Sequence, residues 1–190
     1  MEWIAKFNYE SRSHKTISTG QKKIDWKLRG SEEEIKGWFQ NQKRPSLFFD
    51  GASKNNLGRA GAGGIIKDQQ GKILVTYEWG LGTMSNNKAE AYSLLIGTSI
   101  LRRLGLQHPI IIGDSVIIIA AMTSGKDFNQ IALNNIKSRI IDNLKDIEAV
   151  TFKHVLRSSN KEADEQANKA VSRPVGQAKE NDYTYERVIP

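Results

Sequence analysis

Two acidic residues follow apolar runs that are typical of buried strands. Asp50 comes directly after Leu47–Phe49 and shares a strand face with Phe48, and Asp114 comes just after Ile110–Ile112. If these strands are parallel neighbours, both carboxylates emerge in one region of the sheet, near where open α/β sheets bind ligands. Each acid alone also has a plain structural interpretation as a turn residue.

Two more acids lie on predicted helices. Glu90 begins a helical face that stays apolar through Leu94 and Leu101, and a carboxylate on such a face is costly to desolvate unless a cation meets it. Taken singly, Glu90 could pair with Lys88 or an arginine. Asp164 lies in the first turn of the last predicted helix, where the helix dipole alone favours an acid.

Together the four carboxylates predict a cation site. Acids on converging elements repel one another unless cations bind between them. Oxygen ligands suit Mg²⁺, which is the usual ion when the substrate brings phosphate. Two such ions, about 3.5–4 Å apart, would clamp the attacking and leaving oxygens of an in-line displacement.

Hydrophobic periodicity predicts the elements that must position these acids. Three short strands joined by glycine-rich and polar turns form an antiparallel meander over 47–50, 63–67 and 73–79. Helical and strand patterns then alternate, with helices over 86–105, 115–122, 131–148 and 160–171, and strands over 108–113 and 149–156. The first of these helices has Ser85 as its N-cap, and a capping box over Ser159–Glu162 opens the last. The order βββαβααβα predicts an α/β fold with a mixed sheet.

Composition restricts the function classes. The chain has 190 residues, of which 28 are basic and 21 acidic, for a net charge of +7. It has no cysteine, which excludes disulfide scaffolds, thiol catalysis and iron–sulfur clusters. No apolar run is long enough to span a membrane and the N-terminus lacks a signal-peptide pattern, so we expect a soluble intracellular protein. The positive charge weakly favours an anionic partner such as nucleic acid.

The chain divides into three predicted parts. Residues 1–45 form a basic and aromatic arm, residues 46–173 the main domain, and residues 174–190 a polar tail. A capping box over Ser31–Glu34 predicts a short helix through Trp38. The aromatic residues of the arm could stack on nucleotides or pack onto the main domain: Trp3, Phe7, Tyr9, Trp26, Trp38 and Phe39.

Five groups of residues carry a family resemblance. They are Phe48–Ser53 with the glycine turn through Gly64, Ser85–Glu90, Ile112–Ser115, His154–Arg157 and Asn160–Asp164. In this order, over residues 46–171, they resemble type 1 ribonuclease H, and especially the ribonuclease H-like domains of plant retroelements and their derived genes. The resemblance implies a five-stranded mixed sheet with helices packed on both faces.

The resemblance also implies an activity, which is endonucleolytic cleavage of the RNA strand of RNA–DNA hybrids. Asp50, Glu90, Asp114 and Asp164 would hold two Mg²⁺ ions, with Mn²⁺ as a substitute and Asp50 bridging the ions. His154 matches the family's mobile histidine, which moves protons or helps product release.

Substrate contacts and partners follow from the same resemblance. The residues implied to contact the hybrid are Gly51, Ser53, Asn56, Ser85, Asn86 and Asn160. Selectivity would come from 2′-hydroxyl contacts and groove shape rather than base sequence. The hybrid is the expected partner, and we expect a monomer with no membrane association and no indicated protein partner.

One departure from the family affects substrate grip. Only 50 residues separate Asp114 from Asp164, and Gly125–Asn129 holds a single base, Lys126, where relatives carry a basic helical protrusion. Residues 1–46 or another chain would then supply the missing contacts to the substrate. Two alternatives stay open, namely a catalytically weak or inactive nucleic-acid-binding module and a nuclease with another substrate. The complete acid set with His154 favours the active ribonuclease.

Overall fold

Apolar strands build a six-stranded mixed sheet, seen here in a computed structural model that describes residues 26–184. The strands are β1 (Ser46–Ser53), β2 (Arg59–Lys67), β3 (Ile73–Thr83), β4 (Ile110–Gly113), β5 (Thr151–His154) and β6 (Ala178–Asp182). Their order across the sheet is β5-β4-β1-β2-β3-β6. The pairs β1–β4 and β4–β5 are parallel, and the other neighbours are antiparallel.

Helices cover both faces of this sheet. They are α1 (Glu32–Gln42), α2 (Asn86–Arg103), α3 (Val116–Ser124), α4 (Ile131–Leu144) and α5 (Lys161–Val171), with short 3₁₀ turns at Lys54–Asn56 and Arg157–Ser159. Apolar residues of α2, α3 and α4 share one core cluster, and the other includes Ile35 of α1 and Ala163 of α5. Both clusters follow from the alternation along β1, where Leu47 and Phe49 enter the first and Phe48 enters the second.

The expectation of five strands is wrong, because β6 adds a sixth. It lies within residues 174–190, which read as a polar tail, and it pairs with the outer edge of β3. Apart from Ala178 its side chains are polar, and most are exposed, so hydrophobic alternation could not reveal it. Backbone hydrogen bonds to β3 and an ion pair from Arg103 to Glu180 hold it in place. The division of the chain into arm, domain and tail stays a prediction.

Several element boundaries differ from the predicted ones for local reasons. The Ser31 capping box is present, but α1 continues past Trp38 to Gln42. The capping box predicted over Ser159–Glu162 is wrong, since α5 has Asn160 as its N-cap and the Asn160 side chain makes no cap hydrogen bond. β5 begins only at Thr151 because its partner strand β4 begins opposite that residue.

The aromatic residues of the arm that the structure describes pack onto the two cores. Trp26 packs against the cluster of α2, α3 and α4, and Trp38 and Phe39 pack against the cluster of α1 and α5. Trp3, Phe7 and Tyr9 lie outside the described residues. Over residues 26–184, no helix has the length and apolar character that crossing a membrane requires.

Candidate active site

Strand register brings Asp50 and Asp114 together. In the parallel pair β1–β4, Phe48 stands opposite Ile112, and the two acids lie two positions further along. Asp50 was expected to end its strand, but β1 continues to Ser53 because β2 pairs with it along its whole length. The Asp50 carboxylate therefore leaves the middle of a strand, opposite Gly63 of β2.

Glycines on the strands let two helices carry their acids to the same place. A Cβ atom at Gly51 would lie 2.1 Å from the Glu90 backbone nitrogen, so only glycine lets α2 lie this close to β1. A Cβ at Gly63 would likewise lie 2.1 Å from the Ala167 nitrogen of α5, the helix that bears Asp164. Close approach of both helices is what delivers Glu90 and Asp164 to Asp50.

The inner part of this cluster is electrostatically unfavourable. Burial, followed by the negative charges of Asp114, Glu90 and Asp164, raises the pKa of Asp50 to about 8. Burial, together with the Asp114 charge, also raises the pKa of Glu90 to about 7, against the lowering effect of the nearby Ser115 and Asn86 side chains. In this structure the charges of Asp114, Glu90 and Asp164 all act on Asp50.

The four carboxylates differ in their hydrogen-bond partners. Glu90 Oε1 accepts a hydrogen bond from Asn86 Nδ2 at 2.9 Å, but Glu90 Oε2 is buried without any partner. Asp114 Oδ1 accepts one from Asn160 Nδ2 at 3.1 Å.

Asp164 lies outermost and is the most fully engaged of the four. It pairs with Arg157 and also accepts a hydrogen bond from Asn168 Nδ2 at 3.0 Å.

The donor set fits a hard divalent cation. It consists of carboxylate oxygens, one of which is an unpartnered buried atom, and two of its acids have raised pKa values. Within residues 26–184, no three acidic or histidine side chains are already arranged to hold one ion. Asp164 is paired with Arg157 in this structure.

His154 lies beside this cluster at the end of β5. Its Nε2 is 3.1 Å from the backbone oxygen of Asp114, and its ring meets the ring of Trp26 edge-on. The imidazole is half-buried rather than projecting freely from a loop.

Most of the predicted substrate residues gather where β1 ends and α2 begins. Asn56 Oδ1 accepts a hydrogen bond from the Asn86 backbone nitrogen at 3.0 Å, so Asn56 caps α2 while the Ser85 hydroxyl makes no cap bond. Asn55 and Asn56 adopt positive φ angles of 54° and 58°, which asparagine tolerates well. Ser53 Oγ donates to the Met84 carbonyl at 2.6 Å, which ties the two segments together.

Two of the predicted substrate residues have other contacts in the structure. Gly51 serves the close approach of α2, as described above. Asn160 is 1% exposed, and its Nδ2 donates to the Phe49 carbonyl at 3.0 Å as well as to Asp114. Asn160 thus lies beneath the acids, where it orients Asp114, rather than on the accessible surface.

Sequence reasoning missed the partners of the acids. Arg157 belonged to a recognised segment, but only its position seven residues before Asp164 hinted at an ion pair. The contact of Asn86 with Glu90 had a clearer signal, since the two are four residues apart on one helix face. Nothing in the sequence pointed to Trp26 beside His154.

Comparisons with known proteins find a family match and similar proteins. Residues 48–170 match the profile of a family described as "Reverse transcriptase-like". A curated relative, "Ribonuclease HI" of Halobacterium salinarum, is 28% identical over 144 residues, covering 75% of this chain and 72% of the relative.

Solved structures of ribonucleases H also match this chain. The crystal structure of RNase H1 from Halobacterium salinarum NRC-1 has a TM-score of 0.64 at 29% identity and covers 67% of this chain and 97% of that one. The structure of LC11-RNase H1 in complex with an RNA/DNA hybrid has a TM-score of 0.63 at 25% identity, with coverage of 67% and 96%.

Proposed function

Because the chain belongs to the reverse transcriptase-like family, with type 1 ribonucleases H among its relatives, we propose that it hydrolyses the RNA strand of RNA–DNA hybrids. The proposed enzyme is an endonuclease that uses two Mg²⁺ ions, with Mn²⁺ as a substitute. A relative of the same fold was crystallised with an RNA/DNA hybrid, which supports the hybrid as the substrate class.

The observation that carries the proposal is the unsatisfied inner pair of carboxylates. Asp50 and Glu90 are 6% and 8% exposed, their pKa values are raised, and Glu90 Oε2 has no partner. A fold gains nothing in stability from burying two repelling acids, so their cost is explained by a cation that binds there.

The four acids would bind the ions from different depths in the site. Asp50 and Glu90 supply the buried ligands, and Asp114 and Asp164 complete the set from the more open side. When bound, the ions would lower the pKa of an attacking water and stabilise charge on the scissile phosphate and on the leaving 3′-oxygen. Asn160 orients Asp114, and Asn86 orients Glu90 while its backbone nitrogen stays bonded to Asn56.

His154 and the polar residues at the start of α2 act on the substrate side. His154 stands beside the Asp114 backbone oxygen, where its imidazole can serve as a general acid or base. Asn56, Ser85 and Asn86 would contact sugar and phosphate atoms, with Ser53 holding their two segments together. The N-terminus of α2 favours a phosphate, because its first backbone N–H groups and its dipole both attract anions.

Cleavage of a labelled RNA–DNA hybrid tests the proposal. Full-length protein with Mg²⁺ is compared on hybrid, duplex DNA and duplex RNA, and then repeated with Asp50→Asn. Asp142→Asn is the matched control, since Asp142 is an exposed acid of α4 whose side chain pairs with Lys145.

The expected result is cleavage of the hybrid alone, lost in Asp50→Asn and retained in Asp142→Asn. Unchanged cleavage in Asp50→Asn would refute the assignment of the metal site. No cleavage by the wild type with either Mg²⁺ or Mn²⁺ would refute the activity. Retained hybrid binding in that case would favour the binding-module alternative.

A further inference from the structure

A short segment ahead of α1 lies along the outer edge of β5. We call residues 26–28 the strap. The His154 N–H donates to the Trp26 carbonyl at 2.8 Å, and the Leu28 N–H donates to the His154 carbonyl at 2.9 Å. β5 has only four residues and stands at the end of the strand order, so the strap supplies backbone partners that no strand of the sheet provides there.

The strap also holds the His154 side chain. The Trp26 ring stands 5.9 Å from the imidazole, centre to centre, at an interplanar angle of 87°. The imidazole Nε2 lies 3.1 Å from the backbone oxygen of Asp114. The His154 imidazole thus lies between the Trp26 indole and the Asp114 backbone carbonyl. Trp26 itself is half-buried against the core.

This arrangement belongs to a part of the chain outside the family match. The match begins at residue 48, and the strap ends at residue 28. The resemblance implies a mobile histidine, whereas His154 in this chain is restrained through its backbone and its ring. The strap is therefore a feature by which this chain differs from the expectation for its family.

We propose that Trp26 is a positioning residue that holds the His154 imidazole against Asp114 for the cleavage reaction. The kinetic part of this inference rests on the proposed function. Trp26 acts through His154, whereas most of the residues proposed to bind substrate lie where β1 ends and α2 begins. Loss of the indole should therefore lower kcat by widening the range of imidazole orientations, and should leave KM nearly unchanged.

The first test needs no activity. The ring-proton resonances of His154 are recorded by NMR on the metal-free full chain and assigned by their loss in His154→Ala, since the chain has three histidines. Trp26→Leu keeps apolar volume and removes the ring, and Trp26→Phe keeps a smaller ring. Trp38→Leu is the matched control, because Trp38 is also half-buried and packs against Phe39 rather than His154.

We expect the His154 resonances to move in Trp26→Leu, to move less in Trp26→Phe, and to stay in place in Trp38→Leu. Unmoved resonances in folded Trp26→Leu protein would overturn the proposal. If Trp26→Leu does not fold, Trp26→Phe decides, because its smaller ring must still shift the resonances.

The second test is a double-mutant cycle with cleavage as the readout. Trp26→Leu should lower kcat about tenfold with KM within about twofold, and should cost nothing further in a His154→Ala background. An equal loss in both backgrounds would make Trp26 merely structural. A rise in kcat would mean that the histidine must move freely, which also overturns the proposal. Absence of cleavage by the wild type would refute the proposed function, while the resonances would still test whether the Trp26 ring packs against His154 in solution.

Discussion

The four carboxylates of the site form an inner and an outer pair that the fold treats differently. The inner pair, Asp50 and Glu90, is buried, and burial is the first cause of the raised pKa of each. The outer pair, Asp114 and Asp164, is half-buried. The two pairs lie on neighbouring elements. Their difference in burial therefore comes from the groups that surround each acid.

The hydrogen-bond and ion-pair partners of the two pairs also differ. Asn160 donates to Asp114, and Arg157 pairs with Asp164. Glu90 receives one amide donor and keeps an unpartnered buried oxygen.

This difference in partners gives the inner and outer pairs different expected roles. Buried charges without partners are neutralised by protons or by a cation, so the inner pair should dominate the gain on metal binding. Donors around the outer pair orient its carboxylates and compensate their charge before any ion arrives. Substitutions in the inner pair should therefore change the response of the protein to pH and Mg²⁺, and substitutions around the outer pair should change orientation.

The largest expected effect is that of Asp50→Asn on metal-free stability. The pKa of Asp50 rises from 3.8 to about 8 on folding, so the folded state holds a proton that the unfolded state has lost between these pH values. Stability of the wild type is thus highest below pH 4 with respect to this group and falls as the pH rises toward 8. Asp50→Asn should remove this slope and raise the free energy of unfolding at pH 8 by several kcal/mol.

Urea denaturation from pH 5 to 8, without metal, measures this effect. Glu90 adds a smaller slope of the same sign, since its pKa rises from 4.5 to about 7. Mg²⁺ should stabilise the wild type more as the pH rises, and should stabilise Asp50→Asn little. A wild-type stability that does not fall with pH would contradict the division into inner and outer pairs.

An intermediate effect is expected from Asn160→Ala. The change removes the donor that Asp114 and the Phe49 carbonyl share, at a position that is 1% exposed. Loss of a buried donor should lower the free energy of unfolding by about 2 kcal/mol, and the misoriented Asp114 should slow cleavage on the order of tenfold.

Asn143→Ala is the control for that loss. Asn143 Nδ2 also donates to two acceptors, the Leu95 carbonyl and Thr98 Oγ1, but it lies on α4 away from the acids. It should lower stability without slowing cleavage of the folded protein. Equal kinetic losses in the two variants would show that Asn160 acts through stability alone.

Local signals account for what the sequence could predict. The acids follow apolar strands or begin helical faces, and the alternation of β1 assigns Leu47 and Phe48 to opposite cores. The meander and the mixed sheet follow from the order of these elements.

The features that escaped prediction depend on contacts between distant segments. β6 is polar and is held by the β3 edge, and the strap is held by β5 across more than 100 residues of chain. The sequence predicts a capping or substrate role for Asn160, because its sequence neighbours resemble the start of a helix. Only the folded chain shows that its amide reaches β1 and Asp114 instead.

The smallest expected effect is that of Arg157→Ala, which probes the outer pair from its exposed side. The Arg157 side chain is 73% exposed, and exposed ion pairs contribute under about 1 kcal/mol, so stability should barely change. Arg157 competes with a cation for Asp164, so its removal should strengthen Mg²⁺ binding about two- to threefold, measured by calorimetry at low ionic strength. Arg157→Lys keeps the charge and should bind Mg²⁺ as the wild type does. Weaker Mg²⁺ binding by Arg157→Ala would mean instead that the arginine holds Asp164 in place for the ion, and the outer pair would then depend on its donors for affinity as well as orientation.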